Sequence, residues 1–150
     1  MKRKKKFRSV RLTIHTLTSD WHDKDEVMLH AAFQLLADFM EQESPDKHID
    51  WSREALHRRA WKEICDLYKW WTRTRPLRRS PIVDKKIAQP PLRFEKMAGT
   101  EFRRLVTPDK KKYAAYYRAL RQHTRLEQKW RKEDQRNFHR LVDIREFLWT

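Results

Sequence analysis

The hydrophobic positions of this chain recur most regularly over residues 25–43. Apolar side chains return there every three to four residues, from Val27 to Met40, which is the spacing of one helix face. Two acidic residues stand in the first turn, where the helix dipole favours negative charge, and Pro45 follows the last apolar position. The pattern predicts a helix over residues 25–43.

Two further stretches have helical spacing. Residues 52–74 carry an apolar stripe that includes Trp71, and the helix must end before Pro76. Trp70 falls about 100° away from Trp71 around this helix, so we expect Trp71 in the core. Trp70 either stays exposed at the surface or covers the base of the irregular stretch that follows Pro76. Residues 109–149 contain neither proline nor glycine and predict a long helix with amphipathic ends and a polar middle. Whether it is one rod or two pieces is left open.

The rest of the chain lacks a helical pattern. Residues 1–6 are a basic tail that we expect to be flexible, and residues 7–18 alternate apolar and polar side chains like a half-buried strand. Such a strand needs a partner, either near residues 92–106 or in a second copy of the chain, which would make a homo-oligomer. Residues 76–108 hold five of the six prolines and predict an irregular excursion with at most one or two short strands.

Composition supports a mainly α fold with a small β element, in a single domain over residues 1–150. Gly99 is the one glycine, whereas hairpin turns, phosphate-binding loops and nucleophile elbows all use glycine. Cys65 is the one cysteine, which excludes an internal disulfide and a zinc site of paired cysteines. No apolar run approaches the ~20 residues that span a bilayer, so we expect an intracellular chain that contacts no membrane.

The positive charge is unevenly distributed. The chain has a formal net charge of +15, yet residues 19–50 hold only two Lys or Arg against nine Asp or Glu. All other segments are basic, beginning with residues 1–18, which carry seven Lys or Arg and no acidic residue. Such segregation leaves positive surface that can attract a polyanion.

From about Leu29 onward the chain contains, in this order, LHAAFQLLADFMEQE, WKEICDLYKWWTRTRP, PPLRFEK, KKYAAYYRAL and the terminal RLVDIREFLWT. In these stretches it resembles small uncharacterised proteins of tailed bacteriophages. That family has no established activity, so the resemblance implies a phage origin and a location in the host-cell cytoplasm rather than a reaction. This chain departs from the family in its Lys-rich start and in its basic RLEQKWRKEDQR, where the relatives are rich in Glu.

No constellation of residues predicts catalysis. Asp38 with Glu41, and Asp143 with Glu146, have helical spacing but are explained by solvated helix faces. The histidines lack metal-ligand spacing, and Cys65 is expected to be buried as a small apolar side chain. We therefore expect a protein that is not an enzyme and that uses no metal or other cofactor.

Basic residues near an aromatic ring give the stronger hypothesis, which is binding of DNA or RNA through phosphate contacts with limited sequence specificity. An exposed indole could also stack on an unpaired base. The predicted site residues are Lys2, Arg3, Lys4, Lys5, Lys6, Arg8, Trp70, Arg73, Arg75, Arg78 and Arg79. The alternative is a protein-interaction module, an inhibitor or an assembly factor, that docks onto a host or phage protein through the acidic first helix or the long last helix.

Overall fold

The computed structural model describes residues 12–83 and 86–148 of the chain. It is mainly helical with a small two-stranded sheet, which confirms the predicted fold class. The elements are α1 (Lys24–Asp38), α2 (Ala55–Lys69), β1 (Phe94–Lys96), β2 (Arg103–Leu105) and α3 (Ala114–Asp143). None of the helices in this part of the chain combines the length and the apolar character that crossing a membrane requires.

The first two helices each continue into a wider turn of π type. Phe39–Glu43 prolongs α1 and Trp70–Thr74 prolongs α2, so both helices end where their apolar patterns predicted. The start of α2 is three residues later than predicted, at Ala55. Glu54 precedes this helix without a side-chain capping bond, and the Ser52 hydroxyl and backbone N–H both donate to the Asp50 carboxylate.

The strand predicted over residues 7–18 is wrong for residues 12–18, and residues 7–11 lie outside the described part of the chain. Residues 12–18 are irregular and contain a turn. Side chains of α1 bind this segment: Gln34 Oε1 accepts the His15 backbone N–H at 3.1 Å, and the Thr16 hydroxyl lies 2.7 Å from His30 Nδ1. An oligomer formed through this strand therefore has no support over residues 12–18.

The chain divides into two compact units. The first contains Met1–Leu77 and Asp134–Thr150, and the second contains Arg78–Glu133. The long helix α3 is continuous for 30 residues and contributes to both units. That the two fold as one domain, as the sequence suggested, stays a prediction.

The first unit has a core of aromatic and aliphatic side chains from α1, α2 and the carboxyl end of α3. Phe33 of α1 is fully buried and stacks on Trp71 of the π-type turn that prolongs α2, with ring centroids 4.6 Å apart and planes 16° apart. Leu141 brings the last turns of α3 into the same cluster. A second stack joins Trp51, in the core, to the partly buried Trp61, with ring centroids 4.9 Å apart.

The second unit consists of an irregular stretch, a hairpin and the first part of α3. Strands β1 and β2 pair antiparallel in the register Phe94 with Leu105, and every residue of both strands is exposed. The sheet lies inside the predicted excursion over residues 76–108. Among the described residues of this unit, Ala119 alone is buried, so the unit presents most of its side chains to solvent.

Candidate nucleic-acid interface

The predicted amino-terminal part of the site lies outside the described residues. It consists of Lys2, Arg3, Lys4, Lys5, Lys6 and Arg8. Their role in phosphate binding stays a prediction.

Trp70 does not provide the exposed ring that base stacking needs, and this expectation is corrected. Its side chain is only 8% exposed, with its ring centroid 5.2 Å from that of Phe33. The helix face that carries Trp70 also carries Glu63, two turns earlier, and Glu63 binds Arg140 of α3 at 2.8 Å. The carboxyl end of α3 therefore covers this second face of α2.

Arg75 and Arg78 are largely occupied by contacts within the protein, which corrects their assignment to an open cationic cluster. Arg75 makes two hydrogen bonds to the Asp134 carboxylate, both 3.3 Å long, and its guanidinium lies 4.7 Å from the centroid of the Trp71 ring. Arg78 donates to Glu133 at 2.7 Å. Because both pairs are half-buried, most of this charge is neutralised before a ligand arrives.

The other two predicted arginines are exposed. Arg79 donates to the backbone oxygen of Arg78 at 3.2 Å. Arg73 makes no hydrogen bond or ion pair with the described residues. The structure thus leaves Arg73 as one accessible cation of the predicted cluster rather than as part of a dense patch.

The two units differ in the sign of their net charge. The second unit, Arg78–Glu133, holds 17 Lys or Arg against six Asp or Glu, a net charge of +11. The described residues of the first unit, 12–77 and 134–148, hold 12 Lys or Arg against 15 Asp or Glu, a net charge of −3. The positive potential of the described chain therefore originates in the second unit.

One face of α3 in the second unit concentrates this charge. The side chains in question are all exposed and recur every three or four residues: Arg118, Arg121, Arg125, Lys129 and Lys132. At about 100° per residue they fall within about 80° of the helix circumference and extend over about 21 Å. We call these five residues the α3 stripe.

The opposite side of α3 is fixed by packing within the same unit, which determines that the stripe faces solvent. Trp130 lies under the Arg78 guanidinium, 5.7 Å from its ring centroid. His123 Nδ1 lies 2.8 Å from the Ser80 hydroxyl. Both residues project from the side of α3 that is roughly opposite the stripe, by the same spacing of about 100° per residue.

Few carboxylates lie near the α3 stripe, and the nearest by helical spacing, Glu133 four residues after Lys129, binds Arg78 at 2.7 Å. Between Arg118 and Lys132 the one acidic residue is Glu127, which lies about 180° around the helix from Arg118. None of the five cations makes a hydrogen bond or ion pair within the described part of the chain. Sequence reasoning missed this surface because it examined the periodicity of apolar residues in the last helix. The recurrence of Lys and Arg at helical spacing was the available signal.

Among the described residues outside the α3 stripe, burial shifts the pKa values of Cys65 and His30. Burial, followed by the charges of Asp66 and Asp46, raises the pKa of the Cys65 thiol, so the thiolate is disfavoured at neutral pH. Burial, followed by the charge of Arg75, lowers the pKa of His30 from 6.5. Within residues 12–83 and 86–148, no three His, Cys, Asp or Glu side chains form a group that could hold a metal ion.

Comparison of the chain with models of protein families, with curated proteins and with solved structures gave no match. The resemblance to proteins of tailed bacteriophages therefore stays a prediction.

Proposed function

We propose that this protein is not an enzyme and that it binds nucleic acid through phosphate contacts with limited sequence specificity, using the α3 stripe as its main contact surface. The observation that supports this most strongly is the exposed row of five cations on one helix face, none of which forms an ion pair with a carboxylate of the described residues. It lies in the unit whose net charge is +11, from 17 basic and six acidic residues.

The physical basis is counterion release. Each cation that neutralises a phosphate frees a condensed counterion, so the logarithm of affinity falls linearly with the logarithm of salt concentration. Five contacts to a single strand give a slope of about −3.5, which corresponds to a loss of about 100-fold between about 50 and 200 mM salt. A row of point charges contacts any phosphate chain, which accounts for the limited sequence specificity that we propose.

The test replaces three central cations of the stripe, Arg121, Arg125 and Lys129, with glutamine in the full chain. Because all three are exposed, the fold should be unaffected. We expect affinity for a labelled oligonucleotide to fall about 10- to 100-fold near about 0.1 M salt, and the salt slope to decrease by about 2 units. Fluorescence anisotropy over a salt series measures both quantities.

A matched control removes the same net charge from the first unit. Arg53, Arg59 and Lys69 are exposed, and their replacement with glutamine should leave the salt slope nearly unchanged. Equal losses in the two triple variants would show that only total charge matters, and the α3 stripe would not be the site. No binding by the unmodified chain at low salt would refute the function itself.

A protein-interaction role is the second candidate. Met28 and Leu35 lie seven residues apart on one face of α1 and are 57% and 54% exposed. Such a face on an acidic helix suits a protein partner in the host cell, in keeping with the resemblance to phage proteins. A packed interface of this kind would respond little to salt, unlike phosphate binding. A partner captured after nuclease treatment and lost with Leu35→Asp would favour this reading.

A further inference from the structure

The hairpin in the second unit has exposed apolar side chains on both faces. Phe94 is 58% exposed and Phe102 is 75% exposed. In the observed register, Phe94 faces the same side as Leu105, whereas Phe102 pairs with Met97 and faces the other side. A two-stranded sheet that served only as structure would bury one of its faces.

Each aromatic ring has basic neighbours on its own face. Lys96 and Arg103 form the pair next to Phe94. Lys96 contacts the exposed Glu101 at 3.7 Å, whereas the Arg103 side chain makes no hydrogen bond or ion pair within the described residues. On the other face, Arg104 lies beside Phe102 and shares its charge with Glu95 across a contact of 3.4 Å. The combination of a ring and a guanidinium is therefore present twice, once on each face.

The two strands are joined by a tight turn that a backbone hydrogen bond closes, next to Phe102. The Thr100 backbone N–H donates to the Met97 oxygen at 3.2 Å, and Gly99 takes a φ of 76°. Glycine adopts this left-handed conformation without strain, whereas a side chain at this position would disfavour it.

We infer that the hairpin contacts unpaired bases, so that the nucleic acid bound by this protein is single-stranded, with bases stacking on Phe94 and Phe102 and phosphates meeting the adjacent cations. This inference rests on the proposed function. Stacking on an exposed aromatic ring contributes to single-strand binding and tolerates any base, because each base has an open π-face. Charge complementarity supports this ligand, since the hairpin belongs to the unit with 17 basic and six acidic residues.

The placement of Phe94 and Phe102 on opposite faces of the hairpin favours a single-stranded over a double-stranded nucleic acid as the ligand. A single strand is flexible and can pass over the edge of a narrow ribbon to reach both faces. A duplex has a persistence length of about 50 nm and keeps the faces of its bases covered by their neighbours. A duplex contact with both rings would require unstacking at two steps, which costs about a few kcal/mol for each base.

The experiment uses the full chain and two probes, labelled oligothymidine and a labelled duplex DNA of the same length. The test variants are Phe94→Leu and Phe102→Leu, which keep an apolar side chain but remove the π-face. Each should lower affinity for the single strand by about 5- to 100-fold, the range expected for one stacked base, and should leave the salt slope unchanged. Leu92→Ala is the matched control, because Leu92 is 79% exposed beside β1 and has no ring.

Three outcomes overturn the inference. If both leucine variants bind the single strand as tightly as the unmodified chain, the hairpin is not part of the site. The proposed function would still stand in that case if the triple variant of the α3 stripe loses affinity and salt dependence. Tighter binding of the unmodified chain to the duplex than to the single strand would reject the substrate class. Equal losses in Leu92→Ala and Phe102→Leu would indicate a general apolar contact, as with a protein partner.

Discussion

The sequence and the structure make opposite predictions of how replacing Arg75 affects the stability of the fold. As a member of an open cationic cluster, Arg75 could be replaced without loss of stability. In the structure it makes two hydrogen bonds to Asp134 and lies over the Trp71 ring. We expect Arg75→Met to destabilise the protein, because it breaks these contacts and leaves the half-buried Asp134 carboxylate with less compensation.

The magnitude follows from the geometry. Hydrogen bonds to charged groups contribute about 1.5–3 kcal/mol when well formed. Both bonds measure 3.3 Å, and the side chains of Arg75 and Asp134 are 23% and 19% exposed, so the lower end of that range applies. The cation–π contact adds about 0.5–1 kcal/mol. We expect a total loss of about 2 kcal/mol, or a fall in Tm of about 4–8 °C for a chain of this size.

The assay is urea unfolding followed by circular dichroism, with Arg73→Met as the matched control. Arg73 is exposed and has no hydrogen-bonding partner in the described chain, so its replacement should change the free energy of unfolding by less than about 0.5 kcal/mol. The double variant with Asp134→Asn should lose less than the sum of the single changes, because both remove one interaction. Equal stability of the Arg75 and Arg73 variants would refute the assignment.

Two further predictions concern pH and the amino-terminal tail. The pKa of His30 is lowered from 6.5 in the folded state, so its contribution to stability is complete above about pH 6.5 and is lost as the pH falls through the lowered value. His30→Asn should flatten this acid-side loss in melts at a series of pH values, and a parallel loss in both proteins would assign it to other groups. The tail prediction uses glutamine in place of Lys2, Lys4, Lys5 and Lys6. Affinity for DNA and RNA should fall by similar factors in anisotropy titrations, whereas unchanged affinity would exclude the tail from the site.

The sequence by itself determined where the helices lie. In α1 the apolar stripe is broad and continuous, so local spacing and the bounding proline were sufficient to predict it. The absence of proline and glycine correctly indicated a long last helix, and its continuity over 30 residues resolves what the polar middle left open. The strand prediction failed because alternation describes only which side chains face inward. The backbone N–H of His15 and the hydroxyl of Thr16 hydrogen-bond to side chains of α1 rather than to a second strand.

Tertiary structure alone decided which charged and aromatic residues are accessible. Periodicity along α2 reports the face that α1 covers, but Trp70 is buried because α3 approaches from a second direction. Arg75 and Asp134 are 59 positions apart, a pairing that no local pattern reveals. Conversely, the α3 stripe stays exposed because packing at Trp130 fixes the opposite side of the helix inward. The physical reason is that a helix distributes its side chains by local geometry, whereas their burial and neutralisation depend on contacts between residues distant in sequence.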